Sequence, residues 1–254
     1  MTSAPSASPQ LSGDSLQGQI VVVIGGSAGI GLETGRLARA RGAEVILTGR
    51  NPERLQTAAA DIGARSTAAF DATDWDRLDE FFGTLPKPID HVLVTAGSSH
   101  YATLADLDFA QARQDVDEHL FLTLRVARLA VGTVRPGGAL LFMSGTGARR
   151  TGPGLAIAGF LTAGTPKLIA DLALEIAPIR VNLIAPGFVD TPLSAQILGD
   201  QLEARREDLR RTLPIGRVVG PEDVAALAVH LMTNTALTGA TYDIDGGQQL
   251  TATG

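Results

Sequence analysis

No cysteine occurs among the 254 residues. Disulfide cross-links, thiolate nucleophiles and thiolate metal centres are therefore excluded, and nothing in the chain calls for an oxidising compartment. Lysine is nearly absent as well, with only Lys87 and Lys167, and there are two tyrosines and one tryptophan. Basic charge is in deficit, 21 Lys and Arg against 27 Asp and Glu for a net charge of −6. That balance opposes nucleic-acid binding, which needs a basic face to neutralise phosphates. No apolar run reaches the roughly 18 residues of a membrane span. The opening MTSAPSASPQLSGDS has neither a basic segment nor a hydrophobic one, so it is not a secretory signal. Residues 1–16 read as a flexible leader and 17–254 as a single domain, with a cytoplasmic location expected.

What is present is an alternation. Short apolar runs rich in β-branched residues, QIVVVI (19–24), EVILT (44–48), STAAFD (66–71), HVLVT (91–95), ALLFMS (139–144), IRVNLI (179–184) and TYDID (241–245), are separated by helical patterns. Runs apolar at nearly every position suit strands buried on both faces. Seven of them with crossover-length helices between predict an α/β fold, a doubly wound, mostly parallel seven-stranded sheet of Rossmann type. Asn51-Pro52 reads as a cap and first turn of a helix, and Gly42 as a terminator.

The first strand runs into Gly25-Gly26-Ser27-Ala28-Gly29-Ile30-Gly31, which opens a helix. Glycines there permit positive φ and let a pyrophosphate approach the backbone, while the helix N-terminus supplies free N–H groups and partial positive charge. In this context the motif predicts dinucleotide binding. At the end of the second strand, where a carboxylate would take the ribose 2′-hydroxyl of NAD, stand Thr48-Gly49-Arg50-Asn51. Arg50 suits a 2′-phosphate, which favours NADP over NAD.

Taken together, these residues resemble the short-chain dehydrogenase/reductase family over roughly 16–250. The glycine loop is similar to the family's G-x-x-x-G-x-G, with Ile24 in place of the usual threonine. Asp71-Ala72 resembles the acidic adenine contact, and Val94-Thr95-Ala96-Gly97 the N-N-A-G segment with both asparagines replaced. IRVNLIAPGFVDTPL (179–193) resembles the sixth strand and its loop, so Pro186, Gly187, Val189 and Thr191 are expected near the nicotinamide carboxamide. The resemblance implies cofactor contacts at Gly25, Ser27, Gly29, Ile30, Gly31, Arg50, Asp71, Ala72, Ala96 and Gly97 as well.

The chemistry departs from the pattern. Family members commonly use Tyr-x-x-x-Lys with an upstream serine and an asparagine on an earlier helix. In PGLAIAGFLT those positions fall on Ala158 and Thr162, and the serine and asparagine positions on Gly145 and His119. No Tyr-x-x-x-Lys occurs anywhere, and Lys167 would turn off the site face of its helix. Ser144 and His119 are the substitute catalytic candidates, the first a strand-end hydroxyl and the second an imidazole on an amphipathic stretch, 115–130. His100 and Tyr101 are candidate substrate contacts, and Arg149 and Arg150 are candidates for holding an anion or oxyanion. Each has a structural alternative, as a cap, a core histidine or a solvated loop pair.

Gly164-Thr165-Pro166-Lys167 predicts a helix break or bend between Ala163 and Lys167. Residues 191–216 read as a mobile substrate cover, with Leu193 and Ile197 as apolar contacts. Stripes at 115–130 and 167–177 suggest a homodimer or homotetramer. Three functions stay open. One is an NADP-dependent oxidoreductase on a small carbonyl or alcohol with a non-standard proton donor. The others are a catalytically silent NADP-binding sensor or partner subunit, and a non-redox isomerase or lyase in the same cleft. No metal, nucleic-acid or membrane partner is expected.

Overall fold

The computed structural model describes residues 15–98 and 100–251. Seven strands form one parallel sheet: β1 (Ile20–Ile24), β2 (Glu44–Gly49), β3 (Ser66–Ala69), β4 (Ile89–Val94), β5 (Val134–Met143), β6 (Arg180–Pro186) and β7 (Thr241–Ile244), in the spatial order β3-β2-β1-β4-β5-β6-β7. Each strand follows one of the seven apolar runs. Along β1, Val21 and Val23 join the core layer beneath α1 (Gly29–Ala40), α2 (Pro52–Ile62) and α9 (Pro221–Thr233). Val22 and Ile24 join the opposite layer, beneath α3 (Trp75–Thr84), α5 (Leu122–Ala130) and α6 (Ala156–Glu175). Period-2 alternation in a run apolar at every position is what two buried faces require.

The order in which strands are added reverses between β1 and β4, which run parallel, and the crevice above their carboxyl ends is where a doubly wound fold holds its ligand. Local capping follows the sequence. Asn51 accepts the Arg54 N–H at 2.8 Å, Pro52 opens α2, and Gly63 closes it at φ +62°.

Three expectations need correction. Leu16 was placed in the leader but is fully buried, with its N–H donating to the Arg41 carbonyl at 2.9 Å; residues 1–14 lie outside the described residues. The break at Pro166 is not there, because α6 runs unbroken through it. Thr165 does not cap a new helix but donates its hydroxyl back to the Leu161 carbonyl at 2.6 Å, and flanking turns carry the helix past the missing N–H. The stretch 115–130 is not one regular helix. It comprises the end of α4 (Phe109–Val116), a widened π turn at Asp117–Phe121 in which the Leu122 N–H reaches back five residues to Asp117, and α5.

By length and composition alone α6 would pass for a membrane span, with a mean hydropathy of 1.3. In the fold it lies against β6 with Ile169 and Leu172 in the core, as a sheet-covering helix must.

Candidate active site

The glycine turn is tight because its neighbours leave no room for side chains. A Cβ on Gly25 (φ +100°) would stand 2.6 Å from the Ala96 nitrogen, and one on Gly31 2.6 Å from Thr95 Oγ1. Thr95 donates its hydroxyl to the Gly25 carbonyl at 3.0 Å, and the Gly25 and Gly26 N–H groups donate to the Thr48 carbonyl. Thr95 therefore replaces an asparagine of the resemblance by a hydroxyl that ties the β4 loop to the glycine turn. Sequence reading gave it no role.

Behind this turn α1 begins at Gly29. Ala28 is extended and makes no side-chain cap, and no acid lies in the first turn. Its leading N–H groups carry the partial positive charge of the helix dipole with no side-chain cap on them.

This helix end borders a cleft of about 520 Å³. Gly25, Gly29, Ile30 and Gly31 form one wall and Ala96 and Gly97 continue it. Pro186 at the end of β6 and Gly187, Val189 and Thr191 in the loop that follows also line the cleft. That loop is pinned: Gln248 accepts the Phe188 N–H at 2.9 Å, and Thr191 caps α7 (Pro192–Leu198) by accepting the Ser194 N–H at 3.3 Å. The remaining candidate cofactor residues sit outside the cleft, at the carboxyl ends of β2 and β3. Arg50 Nη1 lies 3.9 Å from Asp71 Oδ2 with both side chains open to solvent, Ser27 packs beside Gly49, and Ala72 is buried behind them.

Ala158 and Thr162, in the tyrosine and lysine positions of the resemblance, are both buried and both line the cleft. Lys167 is on the far side of α6, exposed and paired with Asp171. The pair that would relay a proton is therefore missing in space as well as in sequence. His119 does line the cleft, from the middle of the π turn. Its Nδ1 is 2.8 Å from the Asp115 carbonyl. A carbonyl only accepts, so Nδ1 carries a proton. A π turn inside an α-helix is a frequent mark of a functional position. Ser144 also borders the cleft, beside Gly145, because β5 has ended at Met143 and strand alternation no longer governs its direction. Among the described residues its hydroxyl has no partner.

The other candidates divide. Tyr101 lines the cleft, half exposed. His100 does not line it; its Nδ1 is 2.7 Å from the buried Asp115 carboxylate in a separate small recess. Arg149 and Arg150 are not anion-binding residues of the cleft. Arg149 forms a bidentate pair with Asp243, which also holds its guanidinium above the ordinary arginine range, and Arg150 donates to the carbonyls of Gln248, Gln249 and Thr251. Arg149 fastens β7 itself, and Arg150 the segment after it, to the loop that follows β5. Leu193 and Ile197 of α7 line the cleft. Sequence reading missed Arg205 of α8 (Leu202–Thr212) and Glu118, which line it too.

The match to known proteins spans nearly the whole chain. A family model described as enoyl-(acyl carrier protein) reductase matches residues 25–249. The short-chain dehydrogenase/reductase malC of Malbranchea aurantiaca is 29% identical over 93% of this chain and 97% of its own. The NADP-dependent (R)-specific alcohol dehydrogenase of Lentilactobacillus kefiri is also 29% identical, over 92% and 98%. Among solved structures, the MalC reductase/Diels-Alderase superposes with a TM-score of 0.86 at 27% identity, covering 93% of this chain and 98% of that one. A small-chain dehydrogenase in complex with NADPH superposes at 0.78 with 25% identity, covering 92% and 100%.

Proposed function

The chain belongs to the short-chain dehydrogenase/reductase family, and on that premise we propose that it is a cytoplasmic NADP-dependent oxidoreductase interconverting a small-molecule carbonyl and its alcohol, with His119 as proton donor in place of tyrosine. The observation that carries this reading is one cleft holding both an uncapped helix N-terminus behind a side-chain-free glycine turn and an imidazole with its Nδ1 proton fixed.

The cradle fits a dinucleotide. Gly25, Gly29, Ile30 and Gly31 would receive the pyrophosphate, and Arg50 the 2′-phosphate beside Asp71 and Ala72. Ala96, Gly97, Pro186, Gly187, Val189 and Thr191 would border the nicotinamide. When bound, NADPH would supply the hydride. The protein must then deliver one proton to the oxygen that becomes the alcohol. His119 Nε2 gives it while the Asp115 carbonyl steadies the imidazolium through Nδ1–H, and Ser144 Oγ offers that oxygen a hydrogen bond. A positioned acid contributes about 10²–10⁴-fold. His119→Ala is expected to lower kcat by an amount in that range while the NADPH dissociation constant, followed by fluorescence, stays put. Unchanged kcat would remove His119 from the chemistry.

A second reading has its own support. The methyl of Ala158 makes the cleft less able to handle protons, and a similar chain is described as a reductase/Diels-Alderase. Conversion of substrate without change in nicotinamide absorbance would favour a non-redox reaction. Tight NADPH binding with no conversion at all would favour a silent sensor.

A further inference from the structure

Charge in the cleft is unevenly spent. Besides Tyr101 and His119, its ionisable side chains among the described residues are Glu118 and Arg205. Glu118 is buried and turned to its own surroundings. One oxygen accepts the Ser98 N–H at 2.7 Å and the Ser98 hydroxyl at 3.1 Å, and the other accepts the Gln114 amide at 3.0 Å. Its charge is absorbed in holding the loop after β4.

Arg205 is in the opposite condition. It projects from α8 with its side chain 29% exposed, and only Nη1 is engaged, on Asp208 at 3.2 Å. Among the described residues Nε and Nη2 have no partner. Asp208 is moreover shared, since its other oxygen takes Arg211 Nη2 at 2.9 Å. The neighbouring Arg206 has both terminal nitrogens engaged, on Asp190 at 2.7 Å and Glu203 at 3.1 Å, and only its buried Nε lacks a partner. One carboxylate serving two guanidiniums leaves Arg205 with uncompensated charge and an open planar edge, the edge that grips an oxyanion in two parallel hydrogen bonds. Around it the cover is apolar, with Leu193, Ile197 and Leu198 lining the same space.

We propose that Arg205 is a specificity-determining residue: the substrate bears a carboxylate on an apolar body, and Nε and Nη2 of Arg205 bind it. The inference deepens the oxidoreductase reading, on which its turnover arm rests. Its binding arm does not need turnover. The cofactor pyrophosphate is the rival anion, but the uncapped amides of α1 would serve it.

The probes are levulinate and oxodecanoate, each with its primary amide, offered to the NADPH-loaded protein. An open guanidinium should favour acid over amide by about ten-fold or more, in kcat/KM and in calorimetric affinity. Arg205→Gln should erase that ratio and leave NADPH affinity unchanged, while Arg205→Lys should keep part of it. Equal use and equal binding of acid and amide would overturn the proposal, as would an Arg205→Gln variant that loses NADPH affinity instead. If neither pair is turned over, the oxidoreductase reading suffers alone, and the calorimetric ratio still decides Arg205. If the Gln variant does not fold, the Lys variant carries the comparison.

Discussion

His91 is the most perturbed titratable side chain among the described residues, and it is not in the cleft. It is fully buried in β4, where Nε2–H donates to Gln19 Oε1 at 2.7 Å and Nδ1 accepts the Ala139 N–H at 3.1 Å. The β4–β5 register shifts just before it, and the imidazole takes up an amide beside that irregularity. Burial, aided by the nearby Arg180 charge, pushes its pKa down from 6.5 to about 3. The unfolded chain therefore binds a proton below about pH 6.5 that the folded one refuses until about pH 3. Stability is predicted to fall as pH drops through that window, by up to about 5 kcal/mol at its foot. Asp79 and Asp223, held low by hydrogen bonds from Arg125 and Arg217, lose their contributions only from about pH 4 downward. The slope of urea-unfolding stability between pH 6.5 and 4.5 is thus largely the work of His91, and His91→Gln should flatten it. Arg50 belongs to the same scale. Arg50→Ala should weaken NADPH binding by about ten-fold and leave NADH binding alone, because only the 2′-phosphate distinguishes them. Equal losses for both would assign the residue to the surface.

At the scale of elements, α6 shows how a strong local signal is overruled. Pro166 withdraws the hydrogen bond to the Thr162 carbonyl, yet the helix continues for a further nine residues to Glu175. Ile169, Leu172 and Ala173 bury themselves against the sheet, and that tertiary packing outweighs a propensity cost of about 3 kcal/mol. Pro166→Ala should therefore stabilise the protein by about 1–3 kcal/mol in denaturant unfolding. A loss of stability would mean that the proline's shape is needed where it stands. The α9 end is the counterpart. Buried Arg180 donates to the carbonyls of Leu231, Met232, Asn234 and Leu237, closing that helix without a carboxylate partner. Arg180→Met, with several carbonyls left unpaired, should cost about 3 kcal/mol or more.

For the whole molecule, apolar surface is concentrated on the helices of one layer. Leu124 of α5 and Phe160 and Leu174 of α6 are exposed, the last at 80%. Faces of this kind mark association surfaces, and a homodimer or homotetramer is proposed through them. Leu124→Glu with Leu174→Glu should give a monomer by light scattering while NADPH binding survives. A wild-type chain already monomeric would dispose of the idea.

The layers, the parallel seven-stranded sheet and the tight glycine turn were legible from the residues alone, because each rests on local rules. Period-2 burial writes strands into runs such as QIVVVI, and glycine is demanded wherever backbone approaches backbone, as at Gly25 and Gly31. The vacancy at 158 and 162 was equally plain, since no rearrangement of the chain supplies a Tyr-x-x-x-Lys it does not contain. Which polar groups face the cleft was decided only by the fold. Arg149 and Arg205 look alike in sequence, yet one is spent on Asp243 and the other is left half-paired on the cover. Leu16 and the helix break at Pro166 were misjudged for the same reason. A side chain's partners, and the packing that overrides its local preference, come from segments far away in sequence, and free charge is whatever those partners leave over.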